Sequence, residues 1–133
     1  MTKKVKIFDR LKRANDIEAV YKNGNVIIST DRKLRASHLS SESITNQIRI
    51  AVTVSSKAGS SVWRNRLKRI MRESLRLEKD ILKEIVFKKK QDLSIIFSQY
   101  RINQVNHKQL FLKDIKPAVT DILNKLSKTT IRN

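Results

Sequence analysis

From Ile48 to Ser55 apolar and polar residues alternate without a break. Ile48, Ile50, Val52 and Val54 fall on one side, and Arg49, Ala51, Thr53 and Ser55 on the other. A period of two marks a strand with one buried face, so the first set is expected to meet a core and the second to meet solvent or a ligand. Past the turn residues Gly59, Ser60 and Ser61 the period changes to that of a helix, expected from Val62 to Val86. On a helical wheel Trp63, Leu67, Ile70, Met71, Ser74, Leu77, Ile81 and Ile85 share one arc. Arg64, Asn65, Lys68, Arg69, Arg72 and Arg76 take the opposite arc, with Arg66 on the border and Leu75 and Leu82 as misfits on the polar side.

Other elements are shorter. Residues 1–14 read as a basic arm. A short helix follows, with Asn15 as its cap, Glu18 completing a capping box and Gly24 at its end. A strand is expected around Arg32 to Ala36 and a flexible loop at 37–47. Residues 92–98 read as an apolar strand and residues 107–127 as a final helix that Pro117 kinks or divides. Residues 128–133 are left as a tail. A long helix between two strands points to an α+β fold, a mixed sheet with helices packed on it, in one domain spanning 1–133.

The charge on the long helix has one sign. Between Lys57 and Arg76 stand seven Lys or Arg residues against one acid, Glu73. A structural surface helix would intersperse Glu for pairing one turn away. Arginine, whose planar fork suits bidentate phosphate contact, outnumbers lysine five to two. The whole chain carries a net charge of +18, which a polyanionic partner relieves. These features make the helix an anion-binding element, and nucleic acid the leading partner. No apolar run is long enough to span a bilayer, and the basic N-terminus lacks the apolar core of a signal peptide. With no cysteine, a cytoplasmic protein is expected.

The segment Val54-Ser55-Ser56-Lys57, Gly59, then Val62-Trp63-Arg64-Asn65-Arg66-Leu67-Lys68-Arg69-Ile70-Met71-Arg72-Glu73 resembles the signature of the bacterial ribonuclease P protein component. Arg10-Leu11-Lys12-Arg13, Asn15-Asp16 and Val20-Tyr21-Lys22 with Gly24 extend the resemblance toward the N-terminus. It implies an α/β sandwich with a mixed four-stranded sheet, as in a ribosomal-protein domain, and a left-handed βαβ crossover. It also implies two RNA-facing surfaces. Arg64, Asn65, Arg66, Lys68, Arg69, Arg72 and Arg76 would hold the catalytic RNA. A cleft including Arg13, Ile17, Tyr21, Thr53, Ser55 and Lys57 would hold the single-stranded 5′ leader of precursor tRNA. Ile17 stands where the family commonly has Phe, Ser37 near a common sheet aromatic, Ser56 in place of a lysine, and Trp63 where a smaller residue is usual.

No protein-based catalytic constellation or metal-ligand spacing is present in the sequence, and His38 and His107 read as surface residues. The resemblance accords with this: the RNA would carry out phosphodiester hydrolysis with Mg²⁺ that it mainly holds itself, without an organic cofactor. Two other readings of the charge are a structural ribosomal-RNA-binding protein with no part in cleavage, and a DNA-binding regulator. Neither a membrane nor DNA is the expected partner.

Overall fold

A computed structural model describes residues 8–42, 47–89 and 91–131. In chain order the elements are β1 (Phe8–Arg10), α1 (Ala14–Asn23), β2 (Asn25–Ile28), β3 (Leu34–Glu42), β4 (Ile48–Thr53), a 3₁₀ turn (Ser56–Ala58), α2 (Ser61–Leu77), α3 (Lys79–Lys89), β5 (Gln91–Gln99) and α4 (Leu112–Ile131). The sheet runs β1-β4-β5-β3-β2. β1, β4 and β5 are parallel neighbours, and β5, β3 and β2 are antiparallel ones. The four longer strands make the expected mixed sheet, and the three-residue β1 extends it along the free side of β4.

Strand alternation sorts the sheet into two faces. Ile48, Ile50 and Val52 of β4 join Leu93, Ile95 and Phe97 of β5 and Leu34 and Ala36 of β3 in the main core, under α2, α3 and α4. On the other face Leu11, Val20 and Ile96 form a smaller cluster with Ile17, Leu39 and Ala51, covered by α1. The sheet thus separates α1 from the other helices. Burial on both sides explains why β5, the central strand, reads as an apolar run.

Several expectations are corrected. Residues 37–42 of the supposed loop 37–47 are strand: β3 pairs with β5 from Leu34 opposite Gln99 to Glu42 opposite Gln91. Its run of Ser and His has little strand character, but pairing with β5 throughout, and with β2 as far as His38, satisfies the backbone and overrides propensity. Residues 43–46 of that loop lie outside the described residues, as do residues 1–7 of the arm. The rest of the arm is not free chain, because Phe8–Arg10 pair with Ile48–Ile50 and Leu11 is buried. α1 begins one residue before Asn15, with Arg13 as a cap that makes no side-chain hydrogen bond. Gly24 does end it: a Cβ there would lie 2.4 Å from the carbonyl oxygens of His38 and Val20.

The expected helix from Val62 to Val86 is two helices, broken at Glu78, whose N–H still donates to Ser74 O at 3.1 Å. The break turns the wheel, so Leu82 is fully buried while Leu77 is 53% exposed. Leu75 is buried because α2 packs on α4 and on β4 together, which widens its inward arc. α4 starts at Leu112 and runs through Pro117 as one helix, taking up residues 128–131 of the expected tail. It is tied to the β2–β3 turn: Asp121 Oδ2 accepts from Thr30 N at 2.7 Å and Thr30 Oγ1 at 3.0 Å, and Lys125 Nζ lies 3.2 Å from it. Partial burial works to raise the Asp121 pKa, but these donors outweigh it and hold the carboxyl below its usual range.

His38, expected at the surface, is 5% exposed on the core side of β3, and its Nε2 has no hydrogen-bond partner among the described residues. Burial lowers its pKa from the ordinary 6.5, because the charged form would be stranded away from water. A depressed folded-state pKa means the unfolded chain takes up protons first as pH falls. Stability should therefore be level above the ordinary histidine value and decline as pH drops below it. Urea midpoints between pH 7.5 and 5.5 should fall for the native chain and fall less for His38→Gln.

Candidate nucleic-acid interface

The approach to α2 is fixed by hydrogen bonds. Ser55 N donates to Gln99 Oε1 at 3.1 Å as the chain leaves β4, and Ser55 Oγ accepts from Lys57 N at 3.3 Å to start the 3₁₀ turn. Ser60 caps α2, its Oγ accepting from Trp63 N at 3.3 Å. The loop after β5 lies across this corner. Gln104 Oε1 accepts from Ser60 N and Gln104 N donates to Ala58 O, both at 2.8 Å. Trp63 Nε1 donates to His107 O at 2.8 Å. Gly59 lets the layers touch, since a Cβ there would come 2.9 Å from both Gln104 and the Trp63 ring.

On this support α2 buries Trp63, Leu67, Ile70, Met71, Ser74 and Leu75 and turns its cations outward. Arg64 is held by Nε to Gly59 O at 3.1 Å and Nη2 to Ser61 Oγ at 3.2 Å. Arg66, whose side chain leaves the other flank, donates from Nε to Leu110 O at 2.8 Å. A guanidinium has five N–H donors, so these contacts orient each fork and leave N–H groups for an outside acceptor. Asn65, Lys68, Arg69, Arg72 and Arg76 line one shallow groove along the helix, together with Glu73, which sits 3.4 Å from Arg76. All seven residues expected at the first surface thus lie on the outer side of one rigid helix.

The second expected set is spread more widely, on the α1 side of the sheet. Arg13 caps α1 and is exposed, Tyr21 is 51% exposed, and Thr53, Ser55 and Lys57 are exposed along the end of β4 and the 3₁₀ turn. Ile17 instead packs into the small cluster beneath α1. Ser37 is 4% exposed there, closed off from any stacking base. Register adds residues that sequence reasoning misses. Thr53, Ser98, Arg35 and Ile28 stand opposite one another in a row across four strands. Arg35 borders a stretch that reads as loop, so no local pattern assigns its face.

The two surfaces occupy opposite faces of the sheet and are joined by the segment from Thr53 to Ser61. Among the described residues no group of three or more His, Asp or Glu could hold a metal ion. Among them, too, no helix is long and apolar enough to cross a membrane.

A family model described as Ribonuclease P matches residues 5–122. The ribonuclease P protein component of Alkaliphilus metalliredigens is 32% identical over 121 residues, covering 89% of this chain and 93% of its own. That of Staphylococcus epidermidis is 34% identical over 79 residues, covering 58% of this chain and 66% of its own, so this match spans slightly under two thirds of that relative. The fold is shared with the ribonuclease P proteins of Thermotoga maritima and Staphylococcus aureus. The first has a TM-score of 0.67 at 17% identity, covering 88% of this chain and 96% of that one. The second has a TM-score of 0.65 at 21% identity, covering 88% and 94%.

Proposed function

This chain belongs to the bacterial ribonuclease P protein family, and from that premise we propose that it is the protein subunit of the ribonucleoprotein endonuclease that removes the 5′ leader of precursor tRNA. The observation that carries the reading is the one-sided cationic face of α2, mounted on a corner with Arg64 and Arg66 already oriented by backbone carbonyls. Preset guanidinium forks lose little freedom on meeting phosphate. In this role Arg64, Arg66, Lys68, Arg69, Arg72 and Arg76 hold the catalytic RNA, and Asn65, able to donate and accept, sets register. On the other face Arg13, Tyr21, Thr53, Ser55 and Lys57 take the leader, with Tyr21 as the stacking platform. Ile17 supports that surface from below.

Among the described residues no three His, Asp or Glu side chains gather as metal ligands. The chemistry belongs to the RNA and its own Mg²⁺ in this proposal, and the protein lowers the Mg²⁺ required by screening RNA–RNA repulsion. A cytoplasmic location goes with that partner. A ribosomal role, which the charge alone leaves open, finds no support in the family assignment.

Cleavage of a 5′-extended precursor tRNA by the cognate catalytic RNA at low Mg²⁺ tests the reading. The protein should restore cleavage at the mature 5′ end and cleave nothing alone. Cleavage unchanged by protein that does bind the RNA would refute it.

A further inference from the structure

One cleft in the described structure shares Arg72 and Arg76 with the groove along α2 and reaches past it to the sheet edge. It has a volume of about 380 Å³ and opens at the β1–β4 edge, beside the second half of α2. Its floor is apolar: Leu11, Ile50, Ala51, Val52 and Leu75. Its rim is basic, with Arg72, Arg76 and Lys79 from the helices and Arg10 from β1, and no acidic side chain lines it. β1 ends at Arg10, and Leu11 N donates to Ile50 O at 3.0 Å. Since alternate residues of a strand turn their N–H and C=O to the same side, those of Val52 point out past the end of β1, into the gap that β1 leaves.

A flat apolar floor, a backbone donor and acceptor at its edge, and a rim of cations together match one chemical entity, a nucleobase carrying its phosphate. We propose that this cleft receives a single unstacked nucleotide of the RNA partner, base down on Ile50, Val52 and Leu75, which share the α2 side of the sheet, phosphate against Arg72, Arg76 and Lys79. Double-stranded RNA fits poorly, because its bases are stacked and its phosphates alone would meet the rim. An unstacked nucleotide presents both chemistries at once. The inference rests on the reading that the partner is RNA. It extends the α2 contact to the sheet edge, and its position would fix the angle between the RNA on α2 and the protein.

Affinity for the cognate catalytic RNA, measured across a salt series, tests the cleft with two variants. Lys79→Ala should weaken binding about fivefold near 0.15 M salt and lower the salt slope by about one. Val52→Phe, which fills the floor without changing charge, should weaken binding by a similar factor at unchanged slope. Because the chain has no cysteine, Lys79→Cys can carry a photoreactive aryl azide without competing attachment. Its crosslinks should fall on one or two nucleotides of a single-stranded segment. Native affinity in both variants, or crosslinks spread along a duplex, would overturn the proposal. If the native protein binds the RNA and Arg69→Ala weakens it while these variants do not, the cleft fails and the α2 reading stands. If the native protein does not bind, both fall. Should Val52→Phe not melt cooperatively, Lys79→Ala and the crosslinks decide.

Discussion

Trp63→Ala should lower the free energy of unfolding by about 3–5 kcal/mol, the range for removing a large aromatic side chain from a packed interior. Trp63 is 3% exposed and touches Gly59 through its ring. Its Nε1 gives His107 O a hydrogen bond at 2.8 Å. Truncation opens a cavity under the start of α2 and strands that carbonyl. Trp63→Phe should cost less, about 1–2 kcal/mol, because it keeps most of the apolar contact and loses mainly the N–H. Urea unfolding of the three proteins measures both steps. A loss under about 1 kcal/mol for the alanine variant would mean that Trp63 does not fasten the loop to the helix.

Reversing two charges, Arg69→Glu with Arg72→Glu, should weaken binding to the catalytic RNA about 100-fold at ~0.1 M salt. Each lost phosphate contact accounts for nearly a factor of ten there, and repulsion adds to it. The salt slope should fall by about two. Both side chains are exposed and line the outer groove, so thermal melts should show the fold intact. Arg64 and Arg66 are less clean probes. Their Nε groups donate to Gly59 O and Leu110 O, and truncating either loosens the corner as well as removing a cation. Equal affinity of the double variant and the native protein would remove α2 from the interface.

What the sequence makes legible is what short-range physics decides. The alternation through β4 survives because one strand face meets the core, and the cationic arc of α2 survives because helical geometry is rigid over seventeen residues. The outward placement of Arg64 through Arg76 therefore follows from residue spacing alone. What stays hidden depends on partners far along the chain. β3 looks like a polar loop until β2 and β5 flank it, and His38 looks like a surface residue for the same reason. The break at Glu78 has no Gly or Pro to announce it. Instead, Glu78 is held from outside by Lys116 Nζ, 3.1 Å from its carboxylate. Gln104 and Leu110, which orient the corner from forty residues away, carry no local signal at all. The diffuse second surface suffers most, since Arg35 and Ser98 join Thr53 only through the register of strands far apart in sequence.

The sheet order has a consequence for synthesis. β5 lies between β4 and β3 and alone among the described strands touches both. A ribosome must therefore release residues 91–99 before the two halves of the sheet can be joined, and contacts of such long sequence separation form late. Until then α2, already emerged, has neither β5 nor α4 to complete its buried side. For several seconds of translation at ~5–20 residues per second, each new molecule is a loosely anchored polycation at the surface of an RNA machine. An abundant chaperone would find its widest opening in that interval, and the cationic face of α2 gains its fixed mounting only when the last strand slots into the middle.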